Sequence, residues 1–180
     1  MCGIFGLIAK PDPSFEITQL HTLVKTLFTL SESRGKDSAG LVLVDDAQIQ
    51  VFKRPQRARH MLRSAQYKAF IEAYERRNHH TTQPVVVMGH ARMVTNGQKE
   101  FHSNNQPVIT DGLVCIHNGI IVNDQALWLQ HPTLTRQYEV DTEVLLALIR
   151  EHLRQGKSVT EALIQSMRLT RGANSVALLL

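Results

Sequence analysis

The order of apolar and polar positions divides the chain into strand-like and helix-like stretches. Cys2–Ala9 is an almost unbroken apolar run, the pattern of a strand buried on both faces. Ile17, Leu20, Leu23, Val24, Leu27 and Leu30 recur at helical spacing and predict an amphipathic helix. The glycine-punctuated stretch Ser33–Gly40 predicts a loop. Leu41–Val44 and Ile49–Phe52 predict two strands joined by a turn at Asp45-Asp46. Between Arg57 and Arg77, Leu62, Ala65, Ala69 and Ala73 mark a second helix with a polar tail through His79-His80. The runs Val85–Met88 and Leu113–Ile116 predict further strands. Asp141 opens a helix carrying Val144, Leu145, Leu148 and Ile149, and Ser158 to Glu161 has the form of a capping box for another. Val176–Leu180 reads as a last strand. Strands and helices come in groups rather than in strict alternation, which points to a layered α+β domain.

Composition narrows this picture. A chain of 180 residues suits one domain with its own core, and 43% hydrophobic residues exclude a disordered chain. No apolar run reaches the roughly 18 residues of a membrane span. The start, MCGIFGLIAK, has no basic leader and stops at Pro11, so no signal peptide is expected and the cytoplasm is the expected compartment. Lys and Arg exceed Asp and Glu by 20 − 16 = +4, too mild an excess to imply nucleic acid. The local group Lys53, Arg54, Arg57, Arg59 and Arg63 reads first as a solvated face and second as a surface for an anionic partner. Because the chain ends on the apolar SVALLL, it is expected to be the front part of something longer.

Candidate chemistry starts at Cys2. A thiol becomes a good nucleophile only as the thiolate. If Met1 is removed, Cys2 carries a free α-amine with a reference pKa of about 7.7–8.0, able to take the thiol proton near neutrality. The competing reading is a small buried cysteine, and for an isolated Met-Cys start it would prevail. Cys2 and Cys115 make no disulfide framework; Cys115 and Trp128 read as core residues. Adjacent His79-His80 lack the spacing that aims two ligands at one ion, so no metal is expected.

Five stretches decide between the readings for Cys2. Cys2-Gly3-Ile4-Phe5-Gly6 resembles the opening of the class II glutamine amidotransferases after loss of methionine. Ser33-Arg34-Gly35-Lys36-Asp37-Ser38-Ala39-Gly40 resembles the family's RGxDSAG loop, and Gly89-His90-Ala91-Arg92-Met93-Val94-Thr95-Asn96-Gly97 its GHxRxxTxG segment. His117-Asn118-Gly119 with Asn123 resembles HNGxxxN, and Asp141-Thr142-Glu143-Val144 the DTE-type helix start. They stand in the family's order across most of the chain. RGKDSAG and HNGIIVN lean toward the glucosamine-6-phosphate synthase (sugar-phosphate aminotransferase) branch, whereas Asn105-Gln106-Pro107 leans toward the amidophosphoribosyltransferases.

The resemblance implies the N-terminal-nucleophile hydrolase fold, an αββα four-layer sandwich spanning residues 1–180. It implies hydrolysis of L-glutamine to glutamate and ammonia through a γ-glutamyl thioester on Cys2, with no cofactor and no metal. Asn118 and Gly119 would supply the oxyanion donors; taken alone, Asn-Gly after a strand reads as a hairpin turn. Arg92, read as leaving the strand Val85–Met88 into a glycine-flanked loop, would hold the substrate α-carboxylate, with Thr95, Asn96 and Gly97 beside it. Asp141 would bind the α-ammonium; its competing reading is a helix N-cap. Arg34 would order the loop near the N-terminus from behind the substrate. The chain departs from the family at Met93, where the two branches carry Trp or Tyr, and at Asn96, where the sugar-phosphate branch carries His. In the family the ammonia passes to a synthase half of a few hundred residues, so the expected partners are glutamine and such a domain or subunit, with no nucleic acid or membrane, and a homo-oligomer is open. Two alternatives stand: a silent glutamine-binding or regulatory module, and an N-terminal-nucleophile hydrolase of another amide.

Overall fold

The computed structural model describes residues 2–10, 17–45, 48–78, 84–95, 97–110 and 112–180. Two antiparallel sheets form the centre. The first has four strands, β1 (Gly3–Ala9), β2 (Ser38–Val44), β3 (Ile49–Arg54) and β4 (Val85–Arg92), in the order β1-β4-β2-β3. The second has β5 (Val108–Thr110), β6 (Leu113–Ile121) and β7 (Gly172–Leu179), in that order. Helices α1 (Ile17–Ser31), α2 (Ala58–Arg63) and α3 (Ala65–Asn78) cover the first sheet, and α4 (Asp124–Gln130), α5 (Thr142–Arg154) and α6 (Val159–Leu169) the second.

Strand alternation explains why three separate cores result. Ala39, Leu41, Leu43, Val85 and Val87 point outward to Val24, Phe28, Met61, Tyr67 and Tyr74 of the first helix layer. Leu113, Cys115 and Ile121 point the other way, to Val144, Leu145, Leu148 and Ile149 of α5. The opposite faces of both sheets meet at Val42, Met88, Val114 and Ile116. Helix, sheet, sheet, helix is the αββα sandwich.

Several expectations are corrected by packing. β1 lies at a sheet edge and is not buried on both faces, with Ile8 67% exposed. The helix expected over 57–77 is two helices broken at Ser64, whose backbone is extended. The Ser64 hydroxyl donates to Met61 O (2.7 Å) and accepts from Tyr67 N (3.2 Å), capping both sides of the break. The buried positions there are Ala58, Met61, Tyr67, Ile71 and Tyr74, not Leu62, Ala65, Ala69 and Ala73; two tyrosine rings fill a volume that alanines cannot. On α1, Phe28 is fully buried while Leu23 and Leu30 are exposed. The hairpin β2–β3 forms with Val44 opposite Ile49 and Gln48 N donating to Asp45 Oδ1 (2.9 Å); Asp46 and His79-His80 lie outside the described residues. The capping box at Ser158 and Glu161 is present at the start of α6. α4 and β5 had no clear apolar periodicity.

Register puts the chemistry at one end. Within the first sheet Val44 pairs with Val86, Val42 with Met88, Gly40 with His90 and Ser38 with Arg92, while Ile4 pairs with His90. The inward positions therefore change from apolar to polar toward the end where Cys2 enters. Gly40 is required there: a Cβ would stand 2.0 Å from Gln106 O, where the 105–107 segment crosses the sheet.

Candidate active site

Cys2 is 8% exposed, just before β1. Its Sγ accepts from Met93 N (3.3 Å) and lies 3.5 Å from Met93 O. Burial pushes the thiol pKa up, only partly offset by the Met93 N–H and the positive charge of Arg92. Arg34 Nε donates to Cys2 O (3.0 Å) from the loop after α1. Asp37 in the same loop accepts from Val94 N (2.8 Å), and its N–H donates to Arg92 O (2.9 Å).

Arg92 is the last residue of β4 and is buried, so the strand runs four residues beyond the expected Val85–Met88 and Arg92 is not in a loop. Pairing on both sides, with β1 and β2, explains the extension through Gly89. Its guanidinium donates to Asn105 Oδ1 (3.0 Å) and Gly97 O (3.3 Å). Asp141 sits in the N-cap place of α5 but makes no side-chain cap. Its carboxylate instead accepts from Ile121 N (2.7 Å), buried, and turns toward the hollow that holds Cys2.

Asn118 and Gly119 do not form a hairpin turn. They lie inside β6, opposite Ser175 and Asn174 of β7. Pairing with β7 would be spoiled by a side chain at 119, where a Cβ would stand 1.9 Å from Ala173 O. The Asn118 Oδ1 is buried with no hydrogen-bond partner among the described residues.

One hollow is lined by Cys2, Arg92, Thr95, Gly119 and Asp141, together with His90, Met93, Gln106, His117 and Thr142. Asn118, Gly97 and Arg34 are not part of its lining, and Asn96 lies outside the described residues. The hollow is about 20 Å³, room for one water molecule. A free amino acid would enter only with displacement of the wall, of which Met93 and Thr95 are the exposed part.

The sequence motifs assigned no role to the polar frame in the lining of this hollow. Gln106 Nε2 donates to Thr142 Oγ1 (2.8 Å), which lies 3.0 Å from His117 Nδ1; His117 Nε2 lies 3.0 Å from Asn174 Oδ1. Since Asn174 Oδ1 can only accept, Nε2 carries the proton, Nδ1 accepts from the Thr142 hydroxyl, and every hydrogen bond has one direction. Burial lowers the His117 pKa, against the opposing pull of the Asp141 charge. His90 Nε2 meets His117 O at 2.9 Å, tying β4 to β6 across the sandwich. Burial lowers the His90 pKa to about 3.

Lys53 is corrected most sharply. It is 6% exposed, not part of a solvated face, and donates to Asn105 O (2.8 Å) and Pro107 O (3.0 Å). Burial and the Arg92 charge lower its pKa to about 8. The available signal was period two: Val51 and Lys53 share the inward face of β3.

Comparison with known proteins follows the same lines. Residues 90–168 match the family model described as a glutamine amidotransferase domain. The chain is 31% identical over 175 residues to the glutamine–fructose-6-phosphate aminotransferase (isomerizing) of Escherichia coli K12, covering 96% of this chain and 26% of that protein. The Xylella fastidiosa protein of the same name is 29% identical over 184 residues, covering 99% and 26%. The chain thus spans about a quarter of the length of these relatives. Glutamine phosphoribosylpyrophosphate amidotransferase from B. subtilis, solved with ADP and GMP, superposes with a TM-score of 0.66 at 23% identity over 99% of this chain and 35% of that one. A structure described as the allosteric regulatory enzyme of purine biosynthesis superposes at 0.63, with 24% identity and the same coverage. The ordered motifs, the αββα sandwich that carries them and the similarity along almost the whole chain identify it as a member of the class II glutamine amidotransferase domain family.

Proposed function

We propose that this domain hydrolyses the side-chain amide of L-glutamine through Cys2. The observation that carries the reading is the convergence on one hollow of a thiol just before β1, a guanidinium at the end of β4 and a carboxylate at the start of α5. Arg92 takes the substrate α-carboxylate and Asp141 the α-ammonium, and Thr95, Asn96 and Gly97 add further contacts to the substrate. After removal of Met1, the α-amine of Cys2 accepts the thiol proton and Sγ attacks the amide carbon. Asn118 and Gly119 stabilise the tetrahedral oxyanion; among the described residues the Asn118 oxygen has no partner that would hold the amide against turning. The amine returns the proton to the leaving nitrogen, ammonia departs and a γ-glutamyl thioester remains. Water attacks the thioester, giving glutamate and restoring the thiol. Arg34 acts from behind, holding the Cys2 carbonyl.

Residues 1–180 then serve as the glutaminase domain of a longer enzyme, handing ammonia to an acceptor domain on the same or another chain. The relatives' names support a sugar-phosphate acceptor, fructose 6-phosphate. The cytoplasm, where thiols stay reduced, suits the two free cysteines. Burial of Cys2, which raises its thiol pKa and disfavours the thiolate, favours a second reading, a module that holds glutamine without cleaving it. Glutamate release from glutamine, with intact mass to score Met1, separates the two. Release by the Met1-free protein that is lost in Cys2→Ala supports the enzyme; glutamine binding without release supports the silent module.

A further inference from the structure

On the first helix layer a second hollow of about 740 Å³, with no lining residue in common with the hollow at Cys2, opens between α1, α2 and α3. Its lining includes Lys25, Lys36, Arg59, Arg63 and Lys68, all exposed, and one carboxylate, Glu32. Five cations against one acid amount to +4, as much as the net charge of the whole chain, so the rest of the sequence is balanced. Glu32 does not neutralise the others. It is buried and committed to Arg59, accepting from the backbone N–H (2.6 Å) and from Nε (2.5 Å). That pair fastens the start of α2 to the end of α1 and fixes the walls. Among the described residues, Lys25, Lys36, Arg63 and Lys68 form no ion pair.

We infer that this hollow binds a small molecule bearing two or more phosphate groups. Four unpaired cations facing one concavity raise the local concentration of a compact polyanion and are partly neutralised by it. The shape sets the ligand class: a concavity of this volume is that of a small-molecule site, whereas a nucleic-acid surface presents its cations along a stripe or helix face. The site also reaches the chemistry. Ser33 and Lys36 of its lining belong to the loop whose Arg34 holds Cys2 O and whose Asp37 holds Val94 N and Arg92 O. A ligand gripping Lys36 therefore bears on the segment that positions Cys2. Neither part depends on glutamine hydrolysis.

Calorimetry on Cys2→Ala protein with inorganic tripolyphosphate tests the site. One-to-one binding is expected, weakened at least about tenfold in Lys25→Gln/Arg63→Gln/Lys68→Gln, with an unchanged melting curve because all three side chains are exposed. No binding, or equal binding by the triple variant, overturns the inference. So does a DNA duplex that binds where tripolyphosphate does not, since the surface then belongs to nucleic acid. Coupling is read on protein with Cys2 intact, as the rate of Cys2 alkylation by iodoacetamide followed by intact mass. A change of at least about twofold with saturating tripolyphosphate, absent in the triple variant, supports it; an unchanged rate overturns the coupling.

Discussion

Replacing Lys53 by Met should remove a pH dependence of stability that follows from one buried amine. Lys53 lies between the sheets, and burial together with the Arg92 charge lowers its pKa from 10.5 to about 8. At about 1.4 kcal/mol per pH unit, this makes the charged form about 3 kcal/mol more costly in the folded than in the unfolded protein. Between about pH 8 and 10.5 the unfolded chain binds more protons at this group than the folded one. Its contribution to stability therefore rises with pH across that window and is flat on either side. Other groups act oppositely. Burial raises the thiol pKa of Cys115 to about 12 and raises those of Cys2 and Tyr67, so their unfolded forms deprotonate first and stability falls. Urea unfolding of the native protein and of Lys53→Met, measured every half unit from pH 7.5 to 10.5, cancels those terms in the difference. Relative to the variant, the native protein should gain about 3 kcal/mol across the window. A pH-independent difference would refute the burial of Lys53 as a charged group. At pH 7.5 the variant leaves Asn105 O and Pro107 O without their donor, at about 1–3 kcal/mol each, which shifts the difference without changing its slope.

Three further outcomes are expected. Arg92→Gln should raise the KM for glutamine by about ten- to a hundredfold with a smaller change in kcat, as loss of a charge-assisted carboxylate contact does; an unchanged KM would point to another amide. Gly119→Ala should lower the melting temperature by several degrees, since the new methyl meets Ala173 O and β6 must part from β7 to admit it. His90, neutral with a pKa near 3 in the folded state, makes stability fall as pH drops below 6.5; about 2 kcal/mol should be lost by pH 5 and retained in His90→Asn, as unfolding at pH 7 and pH 5 would measure.

The sequence alone determined several local elements and nominated the candidate site residues. The box at Ser158 and Glu161 is readable because a cap is satisfied within four residues, and α5 because its apolar face repeats. The five motifs named Cys2, Arg92, Asn118 and Asp141 without any coordinates, since motif order is a property of the chain. Tertiary structure decided what each local pattern left open. Asn118-Gly119 suits a turn equally well, and only pairing with β7 draws it into a strand. Asp141 suits a cap, and only the approach of Ile121 N gives its carboxylate a different partner. Lys53 looks like surface until β3 is given a face, because burial depends on the second sheet, which is remote in sequence. The gathering of Cys2, Arg92 and Asp141 around one hollow is a matter of register and sheet stacking, made by contacts between residues far apart along the chain.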